Sequence, residues 1–230
     1  MVFQKKFGKI GAILGAALFV LAALLYLLSM SDLAVSSIYA LGLGVFFGDF
    51  LGYAGNWLYE LFFLLGFAPF VAYALFFFKT QKHSPWLAAG CLVVLLQKSL
   101  LALTGLFTGL WLYRIIQFLM SIAPILLLGF VAVFSYIRIK GIWSPIVASA
   151  LAVLAVASEC VLAVTGVINL IRMPQMTPIL DIANWLSLLS GRFSYIALYA
   201  GVVVLAFISL YYPKRKRPEQ DAPEETAEQV

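Results

Sequence analysis

Apolar residues run along this chain in long unbroken blocks, and polar residues collect between them. The blocks are about 20 residues long, the length of helix that crosses a hydrocarbon core about 30 Å thick. Runs such as Ile10–Met30 lack the period-two alternation that a membrane barrel needs. A backbone in lipid must satisfy its own N–H and C=O groups, so helices remain. The pattern predicts an all-α, polytopic transmembrane helical bundle. Six spans are expected, at about 10–30, 56–78, 86–107, 113–137, 144–171 and 192–212, in a single domain of residues 1–212. Seven spans is the alternative, because Leu33–Gly55 is also apolar enough to cross.

The charges between the blocks orient them. Lys5, Lys6 and Lys9 precede the first span, and Lys79 and Lys82 follow the second. Arg138 and Lys140 follow the fourth, and Lys214, Arg215, Lys216 and Arg217 follow the sixth. With both termini cytoplasmic, these account for 11 of the 15 basic residues, as the positive-inside rule requires. Arg114, Arg172 and Arg192 then sit at the outer side. Trp57, Trp111, Tyr113, Trp185 and Tyr195 fall at the outer ends, and Trp86, Tyr136, Trp143, Tyr211 and Tyr212 at the inner ends, as interfacial belts do. A seventh span would strand basic clusters on the wrong side. Leu33–Gly55, with Gly44, Gly48, Gly52 and Asp49, is therefore expected as an outer re-entrant or interfacial segment. Pro178–Leu189 has amphipathic spacing and is expected as a second outer segment. A bacterial cytoplasmic membrane is the expected location.

The first apolar run exceeds the 7–15 residues usual for a signal peptide, so it reads as an uncleaved span. After Tyr212 the character changes. Lys214, Arg215, Lys216 and Arg217 favour anionic lipid by about 1 kcal/mol per charge. The acidic residues that follow complete a disordered cytoplasmic tail over 213–230.

Composition agrees with this class. Hydrophobic residues make up 64% of the 230 and charged residues 11%, against roughly a quarter charged in soluble domains. The net charge of +5 is explained by topology, and no nucleic-acid partner is expected.

Three charges fall inside the blocks: Glu60, Lys98 and Glu159. A charge near the centre of a span costs at least about 2.5–3.5 kcal/mol, so it marks a function or a necessary ion pair. Glu159 lies on a stripe of small residues, Ala148, Ala152, Ala155, Ala163 and Gly166. Lys98 lies on another, Ala88, Cys91, Leu95, Ala102 and Gly105. Such faces pack against protein rather than lipid. The two charges also sit at similar depth, so a Lys98–Glu159 ion pair is expected inside the bundle. Glu60 lies roughly 10 Å outward of its span centre, on the bulky stripe Asn56, Phe63 and Phe67. It is expected to pair with Arg114 or reach toward Lys98. Gln97, Gln117 and Asn169 add polar groups, and Asp49 lies on the outer approach. Pro69 and Pro124 are candidate kinks.

Several chemistries are missing. His83, the lone histidine, lies in the loop Lys79–Pro85, so paired-histidine haem ligation is excluded and a histidine zinc site is not expected. There is no GxxxxGK[ST] nucleotide loop and no CxxC. Ser190-Gly191 has no histidine within a span to act as its base. Cys91 and Cys160 read as inert buried packing residues. No cofactor is expected.

The leading expectation is a membrane protein that binds or transports a small polar or charged solute, or a proton. Its site would comprise Glu159, Lys98, Glu60, Arg114, Gln97 and Asp49. Transport would be gradient-driven, or energised by a partner subunit docked on the small-residue face Gly11, Ala12, Gly15 and Ala16, which otherwise packs within the bundle. Size and span number alone are similar to the substrate-binding subunits of vitamin uptake transporters. The alternatives are a non-catalytic accessory or assembly subunit, glued by the same charges, and a lipid-modifying enzyme using Asp49 and Asp181.

Overall fold

A computed structural model describes residues 2–45, 48–80, 85–107, 111–137, 143–172 and 178–211. Among these residues there is no strand. The helices are α1 (Val2–Ser29), α2 (Ser31–Gly42), α3 (Phe50–Leu65), α4 (Ala68–Thr80), α5 (Pro85–Phe107), α6 (Trp111–Ile137), α7 (Trp143–Arg172) and α8 (Pro178–Tyr211).

Five described stretches are long and apolar enough to cross a membrane: Ile10–Gly42, Phe50–Leu75, Trp86–Leu103, Ile146–Arg172 and Pro178–Leu205. In α6 the described apolar part, Phe118–Val133, is shorter. Such helices are consistent with a multi-pass membrane protein. The tail over 213–230 and His83 lie outside the described residues.

Backbone neighbours run in closed order from α1 to α8, α7, α6, α5 and α4, and back to α1. Among the described residues, helices opposite one another in this ring make little close backbone contact, and side chains such as Phe19 and Phe70 reach into the middle. Phe19 of α1 meets Phe70 of α4 with ring centroids 5.2 Å apart, and both are fully buried. The small residues of α1 serve this packing. Ala12 is buried, and a Cβ on Gly15 would stand 3.3 Å from Leu205 of α8. Of the face Gly11, Ala12, Gly15 and Ala16, expected to meet a partner subunit or to pack within the bundle, Gly15 thus meets the chain's own last helix, while Gly11 and Ala16 stay half-buried.

Leu33–Gly55 is not one helix. Gly44, at φ 72°, falls in the break between α2 and α3, where a side chain would be strained. At 12 residues α2 is too short to span, and α3 leads into α4. Met30 turns α1 into α2, which packs along the first part of α8.

The second long path is broken between Leu65 and Ala68. Pro69 explains where. Its ring excludes the carbonyl four residues earlier, that of Leu65, and it has no N–H to give. The chain passes the break through tight turns, with Phe67 N–H donating to Leu64 O at 3.1 Å. Gly66 sits there because a Cβ would come within 2.6 Å of Val93 on α5. Pro124, by contrast, lies within an α6 that is helical throughout.

Pro178–Leu189 is not a separate element either. It is the first part of the 34-residue α8, about 51 Å long at 1.5 Å per residue. That continuity moves Arg192 from a span's edge to the middle of a helix.

Candidate functional site

The polar centre is built by α1, α3, α5, α7 and α8. The stripe of α7 faces inward: Ala148, Ala152, Ala155 and Glu159 are all buried. So does that of α5, where Ala88, Cys91, Lys98 and Ala102 are buried and Leu95 is half-buried. Small side chains on both helices leave room for the long stems of Lys98 and Glu159 to meet across the ring.

They do meet. Lys98 Nζ donates to Glu159 Oε1 at 2.5 Å, with the carboxylate wholly sealed from solvent. Arg192 Nη1 donates to Glu159 Oε2 at 3.0 Å, and its side chain keeps 24% exposure. Tyr199 O–H points to Glu159 Oε1 at 3.4 Å. One carboxylate therefore serves two cations, and such charge-assisted bonds are the stronger kind. Lys98 Nζ also lies 3.4 Å from the centroid of the Tyr195 ring, where the π face attracts a cation.

A hydrogen-bond chain leads away from this triad. Tyr195 O–H donates to Gln97 Oε1. Gln97 Nε2 donates to Tyr26 Oη at 2.5 Å, and Tyr26 O–H donates to Glu60 Oε2 at 2.7 Å. Each donor points toward Glu60. Gln97, Tyr26 and Tyr195 are buried, whereas Glu60 is half-buried. Among the described residues Glu60 forms no ion pair.

Between Glu60 and the triad lies a cavity of about 210 Å³. Its charged walls are Glu60, Lys98 and Arg192. Tyr26, Gln97 and Tyr195 add polar edges, and Leu101 and Leu188 are apolar. All lie toward the end of the bundle that carries α2, the end expected to face outside. Ser187 and Ser29 tie α8 to α1 at the rim, with Ser187 O–H donating to Ser29 O at 2.7 Å. Trp57 Nε1 donates to Ser37 Oγ at 3.1 Å, fastening α3 to α2.

Of the residues singled out from sequence, Glu60, Lys98 and Gln97 line one cavity, and Glu159 backs it. Asp49 is exposed at the start of α3, about 16 Å along the helix from Glu60, and is not brought in. Arg114 lies in α6 with its side chain outside the described set, as does that of Gln117. Cys91 is buried as expected, but Cys160 is exposed on the outer face of α7. Its neighbour Glu159 takes the inward direction, so the next residue turns outward. Among the described residues no group of His, Cys, Asp and Glu could hold a metal.

Sequence reasoning missed Arg192, Tyr26, Tyr195 and Tyr199. Part of the signal was present. Arg192, Tyr195 and Tyr199 recur at i, i+3 and i+7, one face of a helix. No family model, curated protein or solved structure matches the chain. The functional reading therefore rests on the site's own chemistry.

Proposed function

We propose that the chain is a multi-pass membrane protein that binds a small polar or charged solute in this pocket, as a step in its transport. The observation that carries the reading is the cavity itself. Two cations and a carboxylate line one space of about 210 Å³, and the carboxylate is not in contact with either cation. Charges retained only to glue helices have no reason to stand around an open volume. The broken path α3–α4 adds support, because discontinuous helices are common where transporters form their sites.

A solute fits better than a proton. The chain from Tyr195 to Glu60 passes through the amide of Gln97, which cannot accept and release protons as a carboxyl or imidazole does. The positive-inside rule supports cytoplasmic termini, so the pocket faces the outer side of a cell membrane.

One observation favours the accessory-subunit reading. Glu159 is fully sealed and fully paired, as a structural ion cluster would be. The lipid-modifying reading has less support, since neither Asp49 nor Asp181 lines the cavity.

The test is thermal unfolding of the purified full-length chain in a maltoside detergent against a panel of small solutes, charged and uncharged. A solute that raises the unfolding temperature in the native chain, with the shift lost in Glu60→Gln, supports binding. No shift from any solute favours the accessory role.

A further inference from the structure

The pocket's charges are balanced but held apart. Lys98 and Arg192 share Glu159, so that wall carries one positive charge in excess. Glu60 supplies one negative charge from α3, and among the described residues it is paired with no cation. The formal sum over the four groups is zero. Two opposite poles therefore face a common space without touching. Each is held back by its own bonds, Arg192 and Lys98 by Glu159, and Glu60 by Tyr26.

A ligand adds its own net charge to that sum. An anion or a cation would leave a uncompensated unit charge inside an apolar bundle, where removing an ion from water is costly. A molecule with both charges would leave none. It would lie along the field between the poles, with its anionic group on Arg192 and Lys98 and its cationic group on Glu60. We propose that the pocket takes a small zwitterion: one net-neutral molecule carrying a carboxylate or phosphate and an ammonium. The proposal rests on the solute-binding reading above and specifies its ligand class.

Size narrows the class. A protein cavity of about 150 Å³ holds a benzene, so about 210 Å³ suits a molecule somewhat larger. Drug-sized pockets start near 300 Å³. Leu101 and Leu188 can cover a short hydrocarbon link between the two charged ends. Two sources provide this chemistry: a free amino acid, and the head group of an ethanolamine phospholipid.

The experiment uses the full chain in maltoside detergent, followed by thermal unfolding. Glycine, β-alanine, 4-aminobutyrate and 5-aminovalerate form a length series of zwitterions. Butyrate and butylamine each lack one of the two charges. Glycerophosphoethanolamine represents the lipid head group, and nanodiscs with and without phosphatidylethanolamine represent the lipid. At least one zwitterion is expected to bind ten-fold or more tightly than butyrate or butylamine. A preference for glycerophosphoethanolamine and the lipid over the amino acids assigns the lipid source, and the reverse assigns the free solute. In Glu60→Gln the preference is expected to turn toward butyrate. Glu60→Asp, which keeps the charge, is expected to keep the zwitterion and move the best length. Butyrate or butylamine binding as well as every zwitterion overturns the inference and leaves the solute site standing. No shift from any compound overturns both.

Discussion

Two glutamates meet the same apolar bundle in opposite ways. Glu159 is sealed, on a helix face of small residues, and both its oxygens are taken by cations. Glu60 is half-buried on a bulky face between Asn56 and Phe63, and Tyr26 is its bond among the described side chains. The first is what a helical bundle does to a charge it must keep: surround it and neutralise it. The second is what it does to a charge it presents. The difference lies in the helices. α7 is packed along its length between α6 and α8, whereas α3 is short, ends at a break and touches its neighbours sparingly. Sealing and presenting are therefore properties of the packing, and the two carboxylates should respond differently to the same substitution.

The largest effect is expected from Glu159→Gln. It leaves Lys98 and Arg192 facing each other's neighbourhood without a counter-charge, and breaking a buried pair costs about 3–5 kcal/mol. The reading is folded yield by size exclusion in detergent, together with the unfolding temperature. Glu60→Gln keeps an acceptor for Tyr26 and is expected to cost less than about 1 kcal/mol. Equal losses would erase the distinction. Arg192 sharpens the same test. Replacing Lys98 and Glu159 together by leucine still leaves a guanidinium that had Glu159 as its partner, so stability should recover only in part. Adding Arg192→Leu should recover more, because apolar replacement of a whole buried ion cluster is often neutral or stabilising.

An intermediate effect is expected at the joint between the two regions. Gln97 immediately precedes the triad's Lys98 in sequence and links Tyr195, beside the triad, to Tyr26, beside Glu60. Gln97→Leu keeps the volume and removes both bonds, leaving the buried Tyr195 hydroxyl without its acceptor. A stranded buried polar group costs about 1–3 kcal/mol. A double-mutant cycle of Gln97→Leu with Tyr26→Phe should show coupling near 1 kcal/mol or above, since the residues are in contact. Additivity would mean that the chain of hydrogen bonds does not connect the two glutamates.

Much of this is legible in the sequence. Blocks of about 20 apolar residues announce helices because lipid admits little else. Lys98 and Glu159 could be paired on paper because each lay on a small-residue stripe at a similar depth. Arg192 could not be placed, because a span drawn to begin at residue 192 turns it into an interfacial charge. Only the continuity of α8 back to Pro178 makes it interior. Tyr195 was hidden in the same way, as one more belt aromatic. Hydropathy sets where a helix crosses but not where it begins, and amphipathic extensions such as Pro178–Leu189 blur that boundary. Pro69 signalled a distortion, and its effect one turn earlier, at Leu65, follows from ring sterics. The contact of Gly66 with Val93 depends on how α5 approaches, which no local pattern encodes.

The smallest effect bears on whether α3 presents Glu60 by moving as a unit. Trp57 Nε1 holds Ser37 Oγ at 3.1 Å and is a fastening between α3 and α2. Trp57→Phe keeps an aromatic ring and removes that bond, worth about 0.5–1.5 kcal/mol. Because α3 is bounded by the Gly44 turn and the Leu65–Ala68 break, the loss should stay local. Hydrogen exchange is expected to quicken over 50–65 and to stay unchanged over 146–172 and 178–205, with little change in the unfolding temperature. Local opening of this kind draws on the less stable end of a structure's range. A protein in which exchange quickens equally in α7 and α8 would have no independent α3, and the contrast between a sealed and a presented glutamate would then be one of position alone.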